Sequence, residues 1–156
     1  MKIKFSFDSN IYDAILNDGN EFLERLIELI EKGTIEIYKT HIQDDEHREM
    51  LKHKPEKFNK IEKLKLRFNI NHTITSGAVW GESKWDECKW DDTVNGVNLT
   101  DLNYKNHCRD ALIALSAHEF VDYLITNDKD LIKRCETKNI KVLDFLKFKA
   151  FIKNLN

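Results

Sequence analysis

Residues 106–131 read NHCRDALIALSAHEFVDYLITNDKDL, and the fold class follows from that stretch. Asn106 to Phe120 is strongly apolar and long enough for a helix. Val121 to Thr126 is enriched in aromatic and β-branched side chains, which favour a strand. Asn127 to Asp130 supplies turn residues, and Lys129 to Cys135 forms the next helix. Lengths then tie two acids together. About eleven helical steps from Asp110 at 1.5 Å carry the chain roughly 17 Å along a sheet. From Tyr123 to Asp128, five strand steps of about 3.3 Å bring it roughly 17 Å back. Asp110 and Asp128 should therefore finish at one edge.

The same alternation extends outward. Ile3, Phe5 and Phe7 alternate with Lys2, Lys4 and Ser6 in the period of a strand, which ends at Asp8-Ser9-Asn10. Glu21 to Lys32 carries apolar residues at helical spacing, and Gly33 stops it. Ile35 to Ile42 reads as a second strand, and Asp44-Asp45-Glu46 opens a charged helical segment. Pro55 suits the first turn of a further helix, with Phe58, Ile61, Leu64 and Phe68 on one face. A third strand is expected within Ile70 to Val79. Ile140 to Leu143 is the last strand and Phe145 to Leu155 the final helix. Residues 80–104, WGESKWDECKWDDTVNGVNLTDLNY, hold all three tryptophans without clear periodicity and read as a loop insertion. Strands alternating with helices imply a three-layer α/β/α sandwich with a mostly parallel central sheet, one domain over 1–156.

Composition narrows the class. With 41% hydrophobic and 33% charged residues, the chain can bury a core beneath a charged surface. One proline and five glycines exclude collagen-like and Pro-rich architectures. No apolar run reaches the ~20 residues of a membrane span, so no membrane partner is expected. MKIKFSFDSN lacks the apolar stretch of a signal peptide. Cys88, Cys108 and Cys135 form no CxxC pair and suit reduced thiols in a cytoplasm. The net charge of −2 conceals opposed blocks, −8 over residues 8–46 and +5 over 48–67. The 80–104 stretch sums to −4, and 129–156 to +5. An acidic pocket beside basic ground fits this pattern, as do solvated helix faces.

Sites in open parallel sheets form at the carboxyl ends of the strands. Asp8 and Asp128 each follow a strand, Asp110 opens a helix, and one or two of Asp44, Asp45 and Glu46 can face the same edge. Spacing alone does not choose among those three. Each acid has a plain structural use, as a cap, a turn residue or a partner of the helix dipole. Gathered together, their charges repel and raise their pKa values unless a cation intervenes. With oxygen donors only, Mg²⁺ or Mn²⁺ fits best.

The motifs FDSN (7–10), THIQDDE (40–46), RDALIA (109–114) and LITNDKDL (124–131) occur in the order of a known family. On them the chain resembles the PIN domains, metal-dependent nucleases that include the ribonuclease toxins of toxin–antitoxin pairs. The resemblance implies a PIN-like fold over nearly the whole chain except 80–104. It implies Asp8, Glu46, Asp110 and Asp128 as the acidic quartet, with Asp130 as a further acid near the metal. It also prefers Glu46 to its two acidic neighbours. Ser9 and Asn10 would bond around Asp8, and Thr126 and Asn127 would shape the turn under Asp128.

The activity expected is hydrolysis of RNA phosphodiesters, single-stranded or structured, leaving a 5′ phosphate and a 3′ hydroxyl. Expected partners are RNA, an antitoxin protein and a second copy of the chain as a homodimer. Lys52, Lys54, Lys57 and Lys60, continuing into Lys63, Lys65 and Arg67, are the expected grip on the RNA backbone. Trp80, Trp85 and Trp90 suit base stacking or, more ordinarily, packing within the loop. The six histidines and Cys108 read as surface or core residues. Two other readings remain in view. One is a non-catalytic PIN-like module that binds RNA or protein. The other is an Asp-phosphorylated α/β protein, which Ser9 and Asn10 disfavour because that chemistry places a second acid beside the first.

Overall fold

The computed structural model describes residues 2–91 and 93–155. In chain order the elements are β1 (Ile3–Phe7), α1 (Ser9–Asp18), α2 (Asn20–Glu31), β2 (Ile35–Lys39), α3 (His41–Leu51), α4 (Pro55–Phe68) and β3 (Asn71–His72). Then follow β4 (Thr93–Val94), β5 (Val97–Asn98), α5 (Cys108–Phe120), β6 (Tyr123–Ile125), α6 (Lys129–Thr137), β7 (Val142–Leu143) and α7 (Phe145–Lys153). A five-stranded sheet runs in the order β3-β2-β1-β6-β7 with every pairing parallel. Helices cover both faces, which makes a three-layer α/β/α sandwich. β1 lies at the centre, with Ile3 opposite Ile35 on one side and Phe5 opposite Tyr123 on the other.

The two faces bury different side chains. On one, Phe5 and Phe7 meet Ile11, Phe22, Leu26, Phe68 and Phe148 from α1, α2, α4 and α7. Phe148 packs edge-on against Phe5, Phe7 and Phe22, with ring centroids 5.1, 5.4 and 5.9 Å away. On the other face α5 is buried from Ala111 through Ala117, and Leu124, Leu131 and Cys135 pack with it. Val94, Val97, Leu99 and Leu102 close over α5, which explains why that helix is apolar on all sides.

The stretch 80–104 thus differs from a plain loop. Asn95 and Gly96 both take positive φ, 48° and 81°, and turn β4 into β5 as an antiparallel hairpin. Asn-Gly between two valines is the residue pair that such a turn demands. Position 92 lies outside the described residues. The three tryptophans do not pack into this segment. Trp80, Trp85 and Trp90 are 90%, 72% and 65% exposed.

β2 is also shorter than the β-branched run to Ile42 predicts. A capping box at Thr40 and Gln43 starts α3 there instead, with Gln43 Oε1 accepting from the Thr40 N–H at 2.6 Å. Gln43 Nε2 donates to Ser6 Oγ (2.9 Å) and to the Phe7 carbonyl (2.8 Å), which pins α3 to the end of β1. Among the described residues no helix is long and apolar enough to cross a membrane.

Candidate active site

The strand order reverses at β1. From there the chain adds β2 and β3 on one side and later β6 and β7 on the other. A crevice at such a reversal, beyond the carboxyl ends of the strands, is where open parallel sheets place their ligands. Asp8 follows β1 at that point and is 8% exposed. Its N–H donates to the Ile125 carbonyl at 3.0 Å, which locks the ends of β1 and β6 together.

Both carboxylate oxygens of Asp8 are used. Oδ1 accepts from the Ser9 N–H at 2.7 Å, and Oδ2 accepts from Asn10 Nδ2 (2.7 Å) and from the Thr126 hydroxyl (2.6 Å). Thr126 Oγ1 in turn accepts from the Asp128 N–H at 3.0 Å. Asn10 Oδ1 accepts from the Asn127 N–H at 3.1 Å, and Asn127 Oδ1 accepts from the Phe145 N–H at 3.0 Å. The four neighbouring residues thus fasten Asp8 to the β6–α6 turn. Asp128 Oδ1 caps α6 by accepting from the N–H groups of Asp130 (2.8 Å) and Leu131 (3.0 Å). The side chain of Asp130 is exposed.

The choice left open at residues 44–46 is resolved by partners. Asp44 pairs with Lys39 at 2.7 Å and Lys65 at 3.3 Å, and Asp45 with Arg48 and Lys84, each at 3.3 Å. Glu46 alone turns to the first acid, its Oε2 accepting from the Ser9 hydroxyl at 2.6 Å. Burial first, then the charges of Asp8 and Asp110, push the Glu46 carboxyl up to about 7. Burial likewise raises Asp8, and the nearby charges of Asp110 and Asp128 add to the effect. Asp8, Glu46, Asp110 and Asp128 therefore share one electrostatic neighbourhood.

Asp110 is partly answered by side chains that sequence reasoning did not single out. Arg134 of α6 donates to its Oδ2 at 2.9 Å, and His107 Nδ1 lies 3.6 Å from the same oxygen. The Nε and Nη1 of Arg134 are buried without a hydrogen-bond partner among the described residues. Arg109 bridges Glu49 and Glu82, each at 2.9 Å, and so ties α3 and the tryptophan-bearing loop to α5. No sequence pattern pointed to Arg134, whereas Arg109 stands inside RDALIA.

Among the described residues no three His, Cys, Asp or Glu side chains lie close enough to hold one metal ion between them. A hard cation such as Mg²⁺ is commonly held by one or two carboxylates, with water and substrate phosphate completing its shell. The oxygen-only donors and the raised carboxyls of Asp8 and Glu46 fit that mode of binding. One or two of Asp8, Glu46, Asp110 and Asp128 would hold the ion directly and the others through water, while Asp130 presents its side chain to solvent.

The candidate lysines are placed differently from one another. Lys52, Lys54 and Lys60 are exposed, while Lys57 is paired with Asp13. Lys54, Lys57 and Lys60 line a groove of about 790 Å³ with Asp13 and Asn17 of α1. Lys65 does not belong to a surface grip. It is 7% exposed and held by Asp44, by Glu62 at 3.4 Å and by His47 Nδ1 at 3.2 Å, because α3 and α4 close over it. Arg67 is engaged by Glu24 at 3.0 Å.

The Glu46 carboxyl carries a pH prediction. Its folded value lies above its ordinary value of 4.5, so its contribution to stability is complete below about pH 4.5. That contribution is lost as pH rises through about 7. Metal-free Glu46→Gln should therefore be more stable than the parent at pH 8, by about 3 kcal/mol at most, and should show no such gain near pH 4. Urea unfolding of both proteins across this range measures the difference. A gain that did not vary with pH would rule the assignment out. Compared with known proteins, the chain is matched by no family model and by no curated sequence.

Proposed function

We propose that the protein is a divalent-metal-dependent endoribonuclease of the PIN domain type, acting in the cytoplasm. The carrying observation is the pair of hydroxyl bridges at the strand-order reversal. Ser9 joins Glu46 to the Asp8 turn, and Thr126 joins Asp8 to Asp128. A scaffold with a purely structural purpose gains nothing by burying Glu46 where the charges of Asp8 and Asp110 raise its pKa. A toxin role, with an antitoxin protein as inhibitor and a homodimer as assembly, belongs to the same proposal.

When bound, Mg²⁺ or Mn²⁺ supplies neutralisation of the phosphate charge and a lowered pKa for water. The chain supplies the positioning. Asp8 is fixed by three donors and cannot swing away, so it presents negative charge at one place. Glu46 has Oε2 occupied by Ser9, and Oε1 has no hydrogen-bond partner among the described residues. Held by Ser9 through Oε2 alone, Glu46 is the carboxylate placed to take a proton. It would accept the proton of a water attacking phosphorus as the bond to the 3′ oxygen breaks. The leaving oxygen is protonated from solvent, so the products end in a 5′ phosphate and a 3′ hydroxyl.

Labelled RNA tests this reading. Cleavage should stop on chelation, return with added Mg²⁺ or Mn²⁺, and leave the ends just named. Products bearing a 2′,3′-cyclic phosphate contradict the mechanism. The Arg134–Asp110 pair favours a second reading, a non-catalytic RNA- or protein-binding module, because that arginine answers one acid without a metal. RNA bound but left intact in the presence of either ion would select it.

A further inference from the structure

The chain has three tryptophans, and all of them line one pocket of about 500 Å³, together with Val79 and Cys88. Trp85 and Trp90 lie with ring centroids 4.8 Å apart and tilted at 56°. Aromatic rings of this size normally contribute their area to a core. Here they are left in water, and a contiguous exposed apolar surface marks a place where something binds.

The loop that carries them is held in shape. Thr75 exchanges backbone bonds with Glu87 and Lys89, both 2.8 Å, and the Val79 N–H donates to Ser83 Oγ at 2.8 Å. Arg109 holds Glu82, and the buried His41 places Nε2 3.2 Å from the Glu82 carbonyl. The rings therefore stand on a fixed frame.

Through Gly81 and Ser83 the pocket continues into a groove of about 580 Å³. That groove is lined by Arg48, Lys52, Lys84 and Arg109 against Asp45, Glu49 and Glu82. Four cations against three anions leave it net positive, and Lys52 is in no ion pair among the described residues. Its Arg109 end adjoins Asp110 in the chain. Around the tryptophans themselves the charge is acidic, with Asp86, Glu87 and Asp91 nearby in sequence. Phosphates are better placed in the groove, and bases against the rings.

We propose that the Trp80–Trp85–Trp90 pocket stacks the unpaired bases of single-stranded RNA while the adjoining groove carries their phosphates toward the acidic site. The identity of the substrate rests on the nuclease reading, and the pocket restricts that substrate to unpaired strands. Bases within a duplex are already stacked and present no free face, whereas stacking on an aromatic ring tolerates any base.

Because these are all the tryptophans of the chain, its entire indole emission reports on this pocket. The probe is a mixed-sequence single-stranded oligoribonucleotide of about twelve nucleotides. It is added to the full chain in chelator so that no cleavage occurs. Emission should be quenched saturably by the single strand and unchanged by the matching duplex. Trp85→Ala with Trp90→Ala should weaken binding, read by anisotropy, on the order of tenfold per ring removed. Both positions are exposed, and unchanged circular dichroism would confirm that the variant folds.

Equal affinity of variant and parent, or quenching by duplex as strong as by single strand, overturns the proposal. So does quenching by tetramethylammonium but not RNA, which would make the pocket a cation cage. Emission that changes only with protein concentration would give it to a second copy of the chain and also overturns it. Failure of the nuclease reading looks different: RNA bound and tryptophan quenched, yet no cleavage with either metal.

Discussion

On the nuclease proposal, Asp8→Asn should abolish most RNA cleavage, on the order of a thousandfold, while leaving the fold intact. The substitution is nearly isosteric in a position that is 8% exposed. Its oxygen still accepts from the Ser9 N–H, and the Thr126 hydroxyl can rotate to accept from the new amide. What cannot be recovered is the bond from Asn10 Nδ2, now donor facing donor, at about 1 kcal/mol. The negative charge at the strand-order reversal is gone, and on the nuclease proposal that charge is the anchor for a divalent ion. An RNase assay in Mn²⁺ measures the first effect, Mn²⁺ titration calorimetry the loss of affinity, and circular dichroism the intact fold. Equal cleavage by parent and variant would assign the activity to a contaminant or to another site.

Phe148→Ala should cost about 3–5 kcal/mol of stability, a large share of the roughly 5–15 kcal/mol of an ordinary domain. The ring is fully buried against Phe5, Phe7 and Phe22, and its removal leaves a cavity that three rigid rings cannot collapse to fill. Phe7 immediately precedes Asp8, so slack in this cluster should also loosen the first acid. Leu146→Ala, on the same helix but 76% exposed, is the control and should change stability by less than about 0.5 kcal/mol. Urea midpoints of the two variants decide it. Similar losses in both would mean that α7 does not anchor the core.

β1 was legible as a strand because Ile3, Phe5 and Phe7 alternate with Lys4 and Ser6, while its central place in the sheet was not. Equal lengths of helix and strand placed Asp110 and Asp128 at one edge without knowledge of any partner. Spacing could not separate Glu46 from Asp44 and Asp45, since the deciding contacts come from Ser9, Lys39 and Lys65, scattered along the chain. Local signals were also overlooked. Thr40 and Gln43 spell a helix start that outweighs the β-branched run into Ile42, and Asn95-Gly96 spells a hairpin turn. Burial of Lys65 was hidden because a lysine inside a basic run resembles its exposed neighbours until α3 packs over it. Arg134 was beyond reach for the same reason: its partner lies on a different helix.

The Thr126 hydroxyl has one more consequence. It joins residues 118 positions apart in the chain, since it donates to Asp8 and accepts from the Asp128 N–H. A ribosome delivers the first acid 118 residues before the fastening threonine. Contacts of such separation form late, after the intervening loop has closed. A nascent or truncated product ending before β6 would hold Asp8 and Glu46 without the turn that completes their surroundings. On the nuclease reading, the cell meets an armed molecule only once translation has passed β6.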